Sequence, residues 1–305
     1  MKNPAIKPLA KGGRASQISY PGSCLGTKAT RLCLGFPGSK GGRASQISYP
    51  GKSLGTKATR LCLGWRLVQN LSIKTFIFAL CIAGESVVAQ TLSLPQNLIP
   101  FNSPEGENLL IESQSRQDYW PLSMQFITQR NQAFCGVASM VMVLNALSVP
   151  APESPEFAPY RVFTQENFFN NERARQVITP ETVSRQGITL EQLGQLLASY
   201  GPKVKVYHAS DTSLAEFRRL AVENLKQPGN FVLINYLRRT IGQERGGHIS
   251  PIAAYNEESD RFLILDVSRY KYPPVWVKTE ELWQAMATQD SVSGKTRGFV
   301  LISKE

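Results

Sequence analysis

The chain has 305 residues, 34 basic and 23 acidic, a formal net charge of +11, and room for one large or two small domains. The charge is lopsided: residues 1–89 carry 13 basic residues and one acid (13 − 1 = +12), while residues 90–305 carry 21 basic and 22 acidic (21 − 22 = −1). A nucleic-acid reading of the neutral part thereby loses its support, and Cys135 as its one cysteine excludes an internal disulfide or a multi-thiolate metal site there.

Residues 11–35 recur as residues 40–64 with two changes, Ser23 to Lys52 and Cys24 to Ser53. Functional repeats diverge while keeping an apolar pattern. This pair is near-identical, rich in Gly, Ser, Thr and basic residues, and has no periodic apolar face, so residues 1–64 are expected to be disordered. They read either as translated non-coding repeat upstream of the native start or as a basic tail. In residues 65–89, Lys74 precedes a short apolar run, followed by Val87-Val88-Ala89. That is the layout of a secretory signal cut after Ala89, with a hydrophobic anchor as the fallback. The run is shorter than the ~20 residues of a membrane span, so no stable span is expected. Export to the periplasm or a similar compartment is the expectation, against a cytoplasmic or membrane-anchored location.

Residues 90–305 read as one domain. Ser103-Pro104-Glu105 opens a short helix running to about Ser115, with proline in its first turn. Residues 129–147 follow, with Val137, Met140, Val141, Leu144 and Leu147 at helical spacing and Cys135 at the helix mouth. Gly136 leaves the backbone beside the sulfur uncrowded. Four prolines between 150 and 159 enforce a loop. Residues 164–175 look helical, and residues 189–200 form a cleaner helix capped by Thr189 and stopped by Gly201-Pro202. A strand at 203–208 and an amphipathic helix at 213–226 come next. The period then turns strand-like: 230–237, a hairpin of 247–255 and 261–267, a short helix at 279–287, and a last strand at 297–303. Helices first and an antiparallel sheet later indicate an α+β domain.

A thiol at a helix N-terminus meets unpaired N–H groups and the positive end of the helix dipole, which both favour thiolate. A lone helical cysteine is nonetheless more often inert core, so partners decide. Of the two histidines, His208 ends a strand among polar residues and reads as surface. His248 follows Gly246-Gly247, and Asp266 closes the apolar strand 262–265, where a carboxylate is costly to bury unless paired. A hairpin sets His248 and Asp266 on neighbouring strands. Acid orients imidazole, imidazole activates thiol, and thiol attacks carbonyl. For an oxyanion the Cys135 N–H is one donor, and Gln129 or Gln132 supplies a side-chain amide; spacing favours Gln129, six residues upstream as in papain-like enzymes.

The segments TQRNQAFCGVASMVMVLNAL, GHISPIAAYNEESDRFLILDVSRYKYPPVWV and ELWQAM resemble the phytochelatin synthase catalytic domain from about Ser123 to Ile302. The resemblance implies a papain-like fold. It also implies a nucleophile, base and orienting acid at Cys135, His248 and Asp266, and an oxyanion amide at Gln129. The activity it implies is glycine removal from glutathione through a γ-glutamylcysteinyl thioester, passed to water or to a second glutathione, as in heavy-metal detoxification. Ala253-Ala254 stands where two glycines are common, and the domain resembles the short prokaryotic form, in which hydrolysis is expected to dominate. Binding a γ-glutamyl head needs an acid and a bidentate base, for which arginine suits best. Asp290 and Arg297 meet that demand, Asn235 and Gly247 add polar contacts, and Arg269, Lys271 and Tyr272 are candidates to hold a second glutathione. No protein-bound cofactor is expected; cadmium or zinc would enter as a glutathione thiolate. A papain-like peptidase acting on exported peptides and a non-enzymatic thiol or metal-binding module are the alternatives. The sequence leaves the oligomeric state open, a homodimer included.

Overall fold

The structure is a computed structural model and describes residues 91–304. The repeat at 1–64 and the apolar segment at 65–89 lie outside the described residues. Among the described residues seven strands form one antiparallel sheet: β1 Ile99–Pro100, β2 Lys203–His208, β3 Asn230–Leu237, β4 Gly247–Asn256, β5 Arg261–Ile264, β6 Val275–Lys278 and β7 Gly298–Ser303. Their order is β1-β6-β5-β4-β3-β7-β2. The α-helices are α1 Pro104–Glu112, α2 Tyr119–Met124, α3 Cys135–Ala146, α4 Glu172–Val177, α5 Pro180–Gln186, α6 Leu190–Ala198, α7 Leu214–Leu225 and α8 Thr279–Met286. The architecture is α+β.

Side chains alternate across a strand, so β3 is apolar on both faces for a reason. Phe231 and Leu233 face the side that holds α3 and α6, and Val232, Ile234 and Tyr236 face the side that holds α7 and α8. β7 repeats this, with Val300 and Ile302 on the first side and Phe299 on the second. The sheet is therefore a middle layer, and the nucleophile helix sits in the first outer layer. α3 is apolar all round and is enclosed all round: every residue from Cys135 to Leu144 is buried.

Local chemistry sets the helix starts. Ser103 Oγ accepts from the Gly106 N–H at 3.1 Å, with Pro104 in the first turn. Thr189 and Gln192 form a reciprocal capping box at α6, with bonds of 3.3 and 2.9 Å. The stretch 164–175 is not one helix. Asn167 Oδ1 takes the Thr164 N–H, and Asn171 Oδ1 caps α4 through the Arg173 N–H. Between them Phe168 and Phe169, adjacent and both buried, force a 3-10 turn. Four of these elements lack a sequence reading: β1, α2, the seven-residue α5 and β6. Strand β5 ends at Ile264, so Leu265 holds the sheet only through Pro251 O (3.0 Å) and Asp266 leaves the ladder. Among the described residues no helix is long and apolar enough to cross a membrane.

Candidate active site

Cys135 is the first residue of α3, after Phe134 at the cap, so its N–H has no partner within the helix. The sulfur is buried and unbridged. Gly136 is needed for packing: a Cβ there would lie 2.3 Å from Ile188 Cδ1 and 3.3 Å from Ile249 Cδ1. The neighbourhood is thus tight, where the sequence suggested open space. Ser139 Oγ donates within reach of both Cys135 O (2.8 Å) and Ile249 O (3.1 Å), which fixes α3 against β4 at the level of the thiol.

β4 carries His248, and the residues just beyond β5 carry Asp266, so the hairpin brings them together: His248 Nε2 lies 2.9 Å from Asp266 Oδ1 and 2.9 Å from Ser250 Oγ. That leaves Nδ1 free of both oxygens, and His248 is close enough to Cys135 to act on the thiol's ionisation. Tyr236, directly opposite on β3, stands edge-on to the imidazole at 5.6 Å and 88°. Asp266 is fully buried, and its charge is matched by Arg238, which reading the sequence missed. Arg238 Nη1 and Nη2 donate to the two carboxylate oxygens at 2.7 and 2.8 Å. Gln243 accepts a further Arg238 N–H, and Tyr272 stacks on the guanidinium at 5.3 Å.

These contacts set the protonation states. Burial alone would push the Cys135 thiol up. The hydrogen bond and charge of His248, with the Ile249 amide and the Arg238 charge, outweigh it and hold the thiol below its ordinary value. Burial and Arg238 work against the imidazolium, but Asp266 and Cys135 outweigh them and raise it. Burial would also raise the Asp266 carboxyl; His248 and Arg238 hold it well below the carboxylate range. Sulfur and imidazole are thus biased toward a thiolate–imidazolium pair.

The thiol opens into a pocket of about 590 Å³, within the range of roughly 300–1,000 Å³ usual for small-molecule sites. Asn235, Gly247, Asp290 and Arg297 all line it. Arg297 Nη1 bonds Asn235 Oδ1 at 2.9 Å and lies 3.4 Å from Asp290 Oδ2. Its Nε is buried without a partner. Burial lowers its pKa, while Asp290 and Cys135 pull the other way. Gly247 is fixed by this guanidinium, since a Cβ there would meet Nη1 at 2.6 Å.

Most other candidates lie elsewhere. Gln129 is buried outside the pocket, its Nε2 donating to Asn131 O (2.6 Å) and Tyr270 Oη (3.0 Å) with its Oε1 unpartnered. Gln132 lines the pocket. Arg269 lies over the Phe126 ring at 4.8 Å, Lys271 pairs with Glu244 at 2.7 Å, and Tyr272 Oη accepts the Glu244 N–H at 2.8 Å; none lines this pocket. His208 is buried, which corrects its reading as a surface residue: Nε2 meets Glu191 at 2.8 Å and Nδ1 meets Thr296 O. It ties α6 to the segment just before Arg297. Among the described residues no three His, Cys, Asp or Glu converge as metal ligands.

A family model described as phytochelatin synthase matches residues 89–299. The chain belongs to the phytochelatin synthase family. Curated relatives include glutathione gamma-glutamylcysteinyltransferase 1 of Lotus japonicus, 36% identical over 68% of this chain and 40% of the relative. The protein of that name in Arabidopsis thaliana is 36% identical over 73% and 45%. The glutathione gamma-glutamylcysteinyltransferase of Schizosaccharomyces pombe is 29% identical over 68% and 50%. The chain therefore spans half or less of these phytochelatin synthase relatives' length.

Proposed function

We propose that this chain is a glutathione γ-glutamylcysteinyltransferase and hydrolase with a papain-like arrangement, the nucleophile helix packed on the antiparallel sheet that supplies base and acid. The observation that carries the reading is the buried set Cys135, His248 and Asp266, opening onto a pocket that Asp290 and Arg297 also line, the Arg297 Nε being without a partner. Asp290 meets the α-ammonium of the γ-glutamyl head and Arg297 its α-carboxylate, which sets the Cys–Gly amide at the sulfur. The Cys135 thiolate attacks that carbonyl. The Cys135 N–H takes the oxyanion, joined by Gln129 once its Nε2 exchanges Asn131 O for the substrate. Imidazolium His248 protonates the departing glycine nitrogen, leaving a γ-glutamylcysteinyl thioester. Neutral His248 then takes a proton from water or from a second glutathione amine. Cadmium or zinc enters as a metal-glutathione thiolate substrate. Export through residues 65–89 belongs to the same reading and rests on sequence alone.

The test is purified protein with glutathione and chromatographic measurement of glycine and γ-glutamylcysteine, with and without cadmium. Glycine release that vanishes in Cys135→Ala is expected. Peptide cleavage without glycine release would favour the peptidase reading, and activity surviving in Cys135→Ala would reject the nucleophile.

A further inference from the structure

Among the described residues five ionisable side chains line the pocket: Cys135, His248, Asp290, Arg297 and Arg185. The first two form the catalytic pair and Asp290 and Arg297 form the γ-glutamyl anchor, which leaves Arg185 without a role. It stands at the last turn of α5, exposed. It takes part in none of the ion pairs among the described residues. The segment that follows it packs over the approach to the thiol: the Cβ direction of Gly187 points to Ala133 O at 3.7 Å, and Ile188 covers Gly136. Arg185 thus belongs to the wall beside Ala133 and Cys135, while the γ-glutamyl anchor is carried by β3, β4 and the segment leading into β7.

Resting on the functional reading above, we infer that Arg185 binds the glycine carboxylate of the donor glutathione and, after glycine leaves, the α-carboxylate of the acceptor glutathione. Charge matching supports the first half. Glutathione carries two carboxylates and one ammonium, and the pocket answers with two arginines and one aspartate around a neutral-sum thiol–imidazole pair. An extended tripeptide spans about 10 Å, so its two carboxylates cannot share Arg297. The second half follows from covalent structure. In acylation the C–S bond forms, the C–N bond breaks, and glycine leaves as an amine whose carboxylate is one carbon away. In transfer the acceptor's α-amine, having shed one proton to solvent, attacks the thioester carbonyl. The N–C bond forms, the C–S bond breaks, His248 takes the second amine proton and Cys135 leaves as thiolate. That α-amine also has a carboxylate one carbon away, so the acceptor head is a substituted glycine entering the position glycine vacated. One guanidinium serves both.

A cation in the last turn of a helix also complements the helix dipole, and the experiment separates that role. Glycine release is measured with the full chain, Arg185→Gln and Arg185→Lys, on glutathione and on its glycyl ethyl ester, which lacks the carboxylate. Arg185→Gln should raise KM for glutathione about tenfold with kcat nearly unchanged, as loss of uniform binding does. The native chain should show the same penalty on the ester, Arg185→Gln should show no further penalty, and Arg185→Lys should recover part of it. The ratio of transfer to hydrolysis should also fall in Arg185→Gln, because water needs no anchor. Equal discrimination against the ester in Arg185→Gln and the native chain would overturn this inference while leaving the enzyme assignment standing. Absence of glycine release by the native chain would overturn both.

Discussion

Replacing Arg238 by methionine removes the guanidinium that grips both oxygens of Asp266 at 2.7 and 2.8 Å. The two side chains are only 4% and 0% exposed. Each charge-assisted bond contributes about 1.5–3 kcal/mol, and stripping one partner from a buried pair costs roughly 3–5 kcal/mol because the other charge stays enclosed. Urea unfolding at pH 7 should therefore find Arg238→Met about 3–5 kcal/mol less stable. An exposed pair would lose about 1 kcal/mol or less. Acid gives a second reading. Burial pushes Asp266 up, but His248 and Arg238 outweigh it and depress its folded value. A depressed carboxyl stabilises above its unfolded pKa of about 3.9 and loses that contribution as pH falls through the folded value. The gap between native chain and variant should be widest above about pH 5 and should narrow below about pH 4. A loss under about 1 kcal/mol at pH 7, or a gap that grows in acid, would refute the coupling.

Gly136→Ala should cost about 1–3 kcal/mol by overpacking against Ile188, and the cost should shrink in an Ile188→Ala background; equal costs in both would refute the contact. Asp118 is buried with both oxygens unpartnered, and burial pushes it up to about 9. Its folded value lies above the unfolded one, so its contribution is fully present below about pH 3.9 and is lost as pH rises toward the folded value. Asp118→Asn should therefore gain on the native chain between pH 5 and 8, by up to about 1.4 kcal/mol per unit in chemical melts; a gain independent of pH would show that the ionised acid has a partner.

Elements with a local signal were legible. Ser103-Pro104 and Thr189 announce α1 and α6, and the hairpin spacing of His248 and Asp266 puts the two side chains on neighbouring arms of one hairpin, as the structure has them. Arg238 was not legible because it sits beside Arg239 in the turn after β3; one is buried and the other exposed, and the buried one's partner, Asp266, is 28 residues away. His208 looked exposed because its cover, the stretch around Thr296, is 88 residues away. Helix α5 had its start signal in Thr179-Pro180, but with only Val183 buried it shows no periodicity. Gln129 shows the limit of spacing, which favoured it over Gln132 without showing that Asn131 O holds its amide outside the pocket.

Strand β7 slots between β3 and β2, though both are made long before it. A nascent chain lacking it would expose two raw edges able to template pairing with another molecule. Arg297 immediately precedes that strand, so the insertion that seals the edges also delivers the arginine proposed to anchor the substrate. A polypeptide that stalled at this step would be sticky and inactive together, and the onset of turnover would time the closing of the sheet.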